Sequence, residues 1–144
     1  MFSKACEYGI KAIIYIATQS MQDKRVKIGD IAENVDSPEA FTAKILGALV
    51  KHDIVQSLTG PYGGFQIDKG KIQSIKLSEI VFAIDGDSIY NGCGLGLSEC
   101  NEIHPCPVHD KFVKIRADLK SFLHTTTIHE LAAGLKSGKT LLYR

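Results

Sequence analysis

The sequence predicts a mainly α-helical chain with one small β-hairpin, arranged as a winged helix-turn-helix followed by a long C-terminal dimerisation helix. Three observations carry that prediction. Apolar residues recur at helical spacing over most of the chain. A pair of short helices joined by a tight turn runs directly into a Gly- and Pro-rich hairpin. Beyond a cysteine-rich loop, a stripe in alternating steps of four and three residues marks a helix that packs lengthwise on another. At 144 residues and 44% hydrophobic content, the chain has material for one core.

From Ser3 to Ser20, Ile10, Ile13, Ile14 and Ala17 define a first helix capped by Ser3. Residues 21–27 read as a polar connection, and a second helix spans about 28–34 with Ile28, Ile31 and Ala32 inward. Ser37-Pro38 is a start signal, a capping side chain before a proline at the first helical position. The third helix then runs to about His52, burying Phe41, Ile45, Leu46, Leu49 and Val50 and showing Thr42, Ala43, Lys44, Gly47 and Lys51 outward. Strands at 54–58 and 65–67 flank the tip Thr59-Gly60-Pro61-Tyr62-Gly63-Gly64, which reads as a wing. A fourth helix covers 76–84 and stops at Asp85-Gly86.

Residues 1–76 thus form the winged unit, with the first helix also at the dimer interface, and 77–144 hold the cysteine loop (87–107) and the dimerisation region. Val108, Phe112, Ile115, Leu119 and Phe122 form the stripe of the long helix. Such a stripe is more often a core face, but the helix's other faces are very polar and it lies outside the winged unit, so a homodimer seam stands at least level with a core face. Thr127 to Glu130 is a capping box that opens a last short helix, and 134–144 reads as a loose tail.

The net charge of +1 gives no overall basic footprint. Residues 77–107, however, carry Glu79, Asp85, Asp87, Glu99 and Glu102 without any Lys or Arg, so the acidic block masks a basic remainder. The apolar run from Ile10 to Ala17 is too short to span a bilayer and no cleavage site follows it, which points to a cytoplasmic protein without a membrane.

Cys93, Cys100 and Cys106 share a loop rich in Gly and Pro, with His104 and His109 beside the last of them. Such a loop gains no order from backbone ladders, and clustered thiols in a reducing compartment favour metal binding. The gaps of six and five residues are wider than zinc fingers use and suit iron–sulfur ligation better. A disulfide with a spare thiol, or ordinary free cysteines, is the plain alternative. A zinc deaminase is excluded, since no His-x-Glu occurs and His109 stands where Pro-Cys-x-x-Cys needs its second cysteine. The chain is not read as an enzyme.

With wing and cysteine loop together, the chain resembles the Rrf-type winged-helix regulators, the family of IscR and NsrR. The resemblance rests on Glu7-Tyr8-Gly9-Ile10-Lys11-Ala12, the Gly60-Pro61-Tyr62-Gly63-Gly64-Phe65 wing, the three cysteines and Thr127-Ile128-His129-Glu130-Leu131. It implies a homodimer in which two winged units read a pseudo-palindromic operator in double-stranded DNA. It also implies a cluster, [2Fe–2S] favoured over [4Fe–4S], on Cys93, Cys100 and Cys106. Glu7, contributed across the dimer, or His109 would be the fourth ligand, with His104 behind them. Thr59 stands where relatives often carry an arginine before the wing's Gly-Pro. Expected groove contacts are Ser37, Thr42, Lys44 and Lys51, with Tyr62 and the amides of Gly60, Gly63 and Gly64 on the backbone. The expected function is repression governed by the cluster, sensing redox state, nitric oxide or iron–sulfur status. A cluster-free thiol or small-molecule sensor of the same fold is the alternative, followed by a zinc-stapled interaction module.

Overall fold

A computed structural model describes residues 1–143. Helix α1 (Lys4–Ser20) is the axis on which the rest packs, meeting α2 (Ile28–Val35), α3 (Glu39–Lys51), α5 (Leu77–Asp85) and α8 (Ile128–Lys136). Its inward residues Ala12, Ile13, Ile16 and Ala17 are wholly buried. Ser3 caps it as expected, accepting from the Cys6 N–H at 3.0 Å, and also donates to the Asp85 carboxylate at 2.6 Å, which fastens the end of α5.

Helix α2 stops at Asp36 in the left-handed region (φ 51°). The start of α3 corrects the sequence reading. Pro38 is itself the cap, in extended conformation, and the helix begins at Glu39. Ser37 lies one residue too early to serve the first turn, and its hydroxyl pairs with the Thr42 hydroxyl at 2.6 Å.

The wing consists of β1 (Gln56–Leu58) and β2 (Gly64–Gln66), antiparallel with Ser57 opposite Phe65. The first strand is shorter than predicted because Ile54 and Val55 are buried at the exit of α3, where the Ile54 N–H bonds back to Leu49. The connection at 21–27 is more than a linker: Val26 pairs with Phe65 as an isolated bridge on the outer edge of β2. Gly64 makes this approach possible. Its φ is +134°, and a Cβ there would lie 2.7 Å from the Val26 carbonyl oxygen.

Two short helices were not foreseen, α4 (Lys69–Ile72) and α6 (Ser88–Asn91). The latter falls inside the segment expected to be irregular, because its run lacks Gly and Pro until Gly92 ends it. Helix α7 (His109–Thr125) packs on α5 and α6. The capping box of α8 is present, Glu130 accepting from the Thr127 N–H and Thr127 from the Glu130 N–H. Just before it, Lys76 and Thr127 bridge antiparallel: Leu77 donates to Thr126 at 2.9 Å and Ile128 to Ile75 at 3.0 Å.

The core joins Ile13, Leu46 and Val55 to Ile80, Leu123 and Ile128, so it runs across the boundary at residue 76. The tail is not loose over its described part. The N–H groups of Lys139 and Thr140 bond to Gly134, and Leu142 packs on the core. Arg144 lies outside the described residues.

Candidate functional site

Helix α3 buries Thr42, Ile45, Leu46 and Leu49 and leaves Ala40, Ala43, Lys44, Gly47 and Lys51 exposed. The outward face is therefore small and basic, a shape that allows close approach to base edges. Thr42 is the exception to the expected face and is corrected: it is wholly buried. Its hydroxyl donates to the Pro38 carbonyl one turn back at 2.7 Å, which satisfies it without solvent. Ser37 is half-buried against it.

At the wing, Gly60 is exposed and Tyr62 projects with 88% of its surface free. The expected amide contact at Gly63 is also corrected, because that residue is buried and its N–H closes the tip turn onto the Gly60 carbonyl at 3.0 Å. Two cations that sequence reading passed over reach the wing. Arg25 donates through Nε to the Gln66 side chain at 2.9 Å and through Nη1 to the Tyr62 carbonyl at 3.2 Å. Lys27 Nζ lies 3.4 Å from the Gly60 carbonyl oxygen. The alternation Lys24-Arg25-Val26-Lys27 was the available signal, an extended segment with one buried residue between basic ones.

In the cysteine loop, Cys93, Cys100 and Cys106 are free thiols, each half-buried. Cys93 Sγ accepts from the Leu95 N–H at 3.4 Å. That backbone donor, followed by Leu97 and the Cys106 thiol, pulls the Cys93 thiol below its ordinary value. Cys100 Sγ sits 3.5 Å from His109 Nδ1 and 3.0 Å from Arg116 Nη2. Arg116 also donates to the Gly92 carbonyl, and its Nε is buried without a partner. One guanidinium on α7 thus holds both the entry and the middle of the loop. Its place on a polar stretch of the helix gave no hint of this.

His109 is 8% exposed, whereas His104 is exposed and its N–H is held by the Asn101 side chain at 3.0 Å. Glu7 pairs with Lys4 at 3.0 Å, which holds its carboxyl below the usual carboxylate range. Cys6 behind it is wholly buried, and burial, then Asp85, pushes its thiol up to about 12. Among the described residues no three His, Cys, Asp or Glu side chains converge on one metal position. Of the loop's candidate ligands, Cys100 and His109 stand together at 3.5 Å. Reduced thiols and an imidazole are ligands of the type an iron–sulfur cluster takes, and a guanidinium beside them supplies compensating positive charge, so the residues fit that group chemically.

The α7 stripe divides. Phe112 turns over Gly94, where a Cβ would meet its ring at 2.6 Å, and Leu119 packs on the core. Ile115 and Phe122 remain 55% and 46% exposed on one side of the helix, Val113 is 40% exposed on the other, and Val108 is half-buried at the helix start. Leu123, outside the predicted stripe, is the wholly buried residue that anchors the helix.

The sequence model of the Rrf2 family, described as iron-dependent transcriptional regulators, matches residues 2–134. A candidate HTH-type transcriptional regulator of Aquifex aeolicus is 32% identical over 133 residues, covering 91% of this chain and 90% of that protein. The transcriptional regulator IscR of Yersinia pseudotuberculosis is 27% identical over 124 residues, covering 86% and 74%. Among solved structures, the global cysteine regulator CymR of B. subtilis superposes with a TM-score of 0.73 at 20% identity, covering 92% of this chain and 96% of that one. No described helix is long and apolar enough to cross a membrane.

Proposed function

This chain belongs to the Rrf2 family of winged-helix transcriptional regulators, and from that premise we propose that it is a homodimeric repressor whose hold on a pseudo-palindromic operator is set by an iron–sulfur cluster. The observation that carries the cluster reading is the loop itself: three free cysteines on one short loop, with Cys100 beside the buried His109 at the start of α7 and held there by Arg116. Cys93, Cys100 and Cys106 would hold the cluster, [2Fe–2S] in preference to [4Fe–4S], with His109 or a Glu7 contributed across the dimer completing the set. When bound, such a group supplies a centre that responds to oxidants, nitric oxide or iron supply.

The chain's own residues do the rest. Arg116 offsets negative charge at Cys100 and ties the loop to α7. Ile115 and Phe122 on that helix meet their copies across the dimer axis. The two α3 helices present Lys44 and Lys51 to successive major grooves, and any change in the angle of α7 alters their separation. A coupling of about 1–3 kcal/mol suffices to change operator occupancy roughly 5- to 150-fold.

Anaerobic purification followed by iron and sulfide analysis tests the reading, together with operator binding by holo protein, apo protein and a Cys93, Cys100, Cys106 triple alanine variant. Coloured protein with near-stoichiometric sulfide, and holo and apo affinities that differ, are expected. Equal affinity in all three would refute the coupling. Three free thiols on one loop also support a second reading, a thiol sensor without a cluster. Iron-free material that still discriminates its promoter, and changes affinity on mild oxidation, would establish that one instead.

A further inference from the structure

The wing has no charge of its own, since Leu58 to Gly64 reads Leu-Thr-Gly-Pro-Tyr-Gly-Gly. A hairpin that meets phosphates without a cation gains nothing from the counterion release that dominates duplex affinity. The structure supplies cations from a different part of the chain. Val26 lies on the free edge of β2, its N–H 3.0 Å from the Phe65 carbonyl and its own carbonyl accepting from Phe65 at 2.7 Å. Side chains alternate along extended backbone, so burying Val26 sends Arg25 and Lys27 together to the opposite side. There they meet the wing at the Tyr62 and Gly60 carbonyls. Neither forms an ion pair among the described residues. Of the acidic side chains bordering this groove, Asp23 is taken by Lys69 at 3.0 Å, leaving Asp30 and Asp68.

We propose that Arg25 and Lys27 are the wing's contacts to the DNA backbone, a cationic third edge that provides the charge missing from the tip. The inference rests on the operator-binding reading above. A guanidinium has five donors, and Arg25 spends two on the wing, which leaves donors for a phosphate beside Tyr62. Contacts of this kind fix register and affinity without reading bases. The two cations therefore act equally on every duplex.

The test uses the full chain and a mixed-sequence duplex of about 30 base pairs, with binding followed by fluorescence anisotropy between about 50 and 200 mM salt. Each phosphate-contacting cation removed lowers the log–log salt slope by about 0.9, and the dimer carries two wings, so Arg25→Gln with Lys27→Gln removes four cations and is expected to lower it by about 3.6. Arg25→Lys, which keeps the charge, is expected to leave the slope unchanged. Thr59→Lys added to the double variant is expected to restore about half of the loss, because it returns one charge to a correctly placed wing. A double variant with the wild-type slope overturns the proposal. So does a lost slope that Thr59→Lys cannot restore, which would mean that the wing itself had moved. Wild-type binding that is absent or indifferent to salt would overturn the DNA reading and this inference with it.

Discussion

Truncating Ile115 and Phe122 together to alanine is expected to convert the proposed dimer to monomers while leaving each protomer folded. Ile→Ala removes three carbons, worth about 2.4 kcal/mol on full burial at about 0.8 kcal/mol per carbon. Since 55% of Ile115 is exposed in the protomer, about 1.3 kcal/mol of that belongs to association rather than folding. A phenylalanine worth about 3 kcal/mol when fully buried, and 46% exposed here, contributes about 1.4 kcal/mol in the same way. An isologous seam contains each residue twice, so the double variant loses about 5.4 kcal/mol, roughly 10⁴-fold in dimer dissociation constant. Sedimentation equilibrium over a wide concentration range measures this, with circular dichroism verifying the fold. Lys111→Ala, at an exposed polar position of the same helix, serves as the control. A shift of less than about tenfold in a folded double variant would show that α7 is not the seam.

Thr42→Val leaves the Ser37 hydroxyl without its 2.6 Å partner and is expected to cost about 1–2 kcal/mol in urea unfolding, with the salt dependence of DNA binding unchanged. Gly64→Ala forces a side chain into φ +134° against the Val26 carbonyl. A destabilisation of about 1–3 kcal/mol is expected, with faster amide exchange at Val26 and Phe65. Arg116→Gln removes charge-assisted bonds to Gly92 and Cys100, and each lost bond of about 1.5–3 kcal/mol raises local opening roughly 10- to 150-fold, readable as hydrogen exchange over residues 93–100. In metal-free protein near pH 8, iodoacetamide is expected to label Cys93 and spare Cys6, whose thiol is buried and held up to about 12. The Cys6 contribution to stability is complete below the ordinary thiol pKa and is lost as pH climbs toward that raised value, so unfolding free energy falls on the alkaline side; a pH series in urea verifies the sign.

The features legible in the sequence are those governed by local periodicity. Ile13, Ile14 and Ala17 announce α1, and the wing follows from Gly60, Pro61, Gly63 and Gly64. Thr42 was misplaced because its hydroxyl is satisfied by its own helix, so polarity did not mean exposure. Val26 could not be assigned to the sheet, since its partner Phe65 lies far along the chain and a single bridged residue leaves no alternating run. Arg116 escaped for a related reason: a guanidinium that buries itself against Gly92 and Cys100 looks, by spacing alone, like any solvated residue of a polar helix. The loop's cysteines were visible as a group, but the approach of Cys100 to His109 depends on the loop folding back onto the start of α7.

The bridge between Lys76 and Thr127 gives α7 a mechanical character. It pins the C-terminal end of that helix to the strip of chain leaving the winged unit. Seventeen residues of α-helix make an arm of about 25 Å, and a 1 Å push at its cysteine end swings it by about 2°. With its fulcrum beside the root of the winged half, the long helix has the geometry of a lever, and under the proposed regulation chemistry at the thiols would arrive at the far end as an angle rather than as a charge.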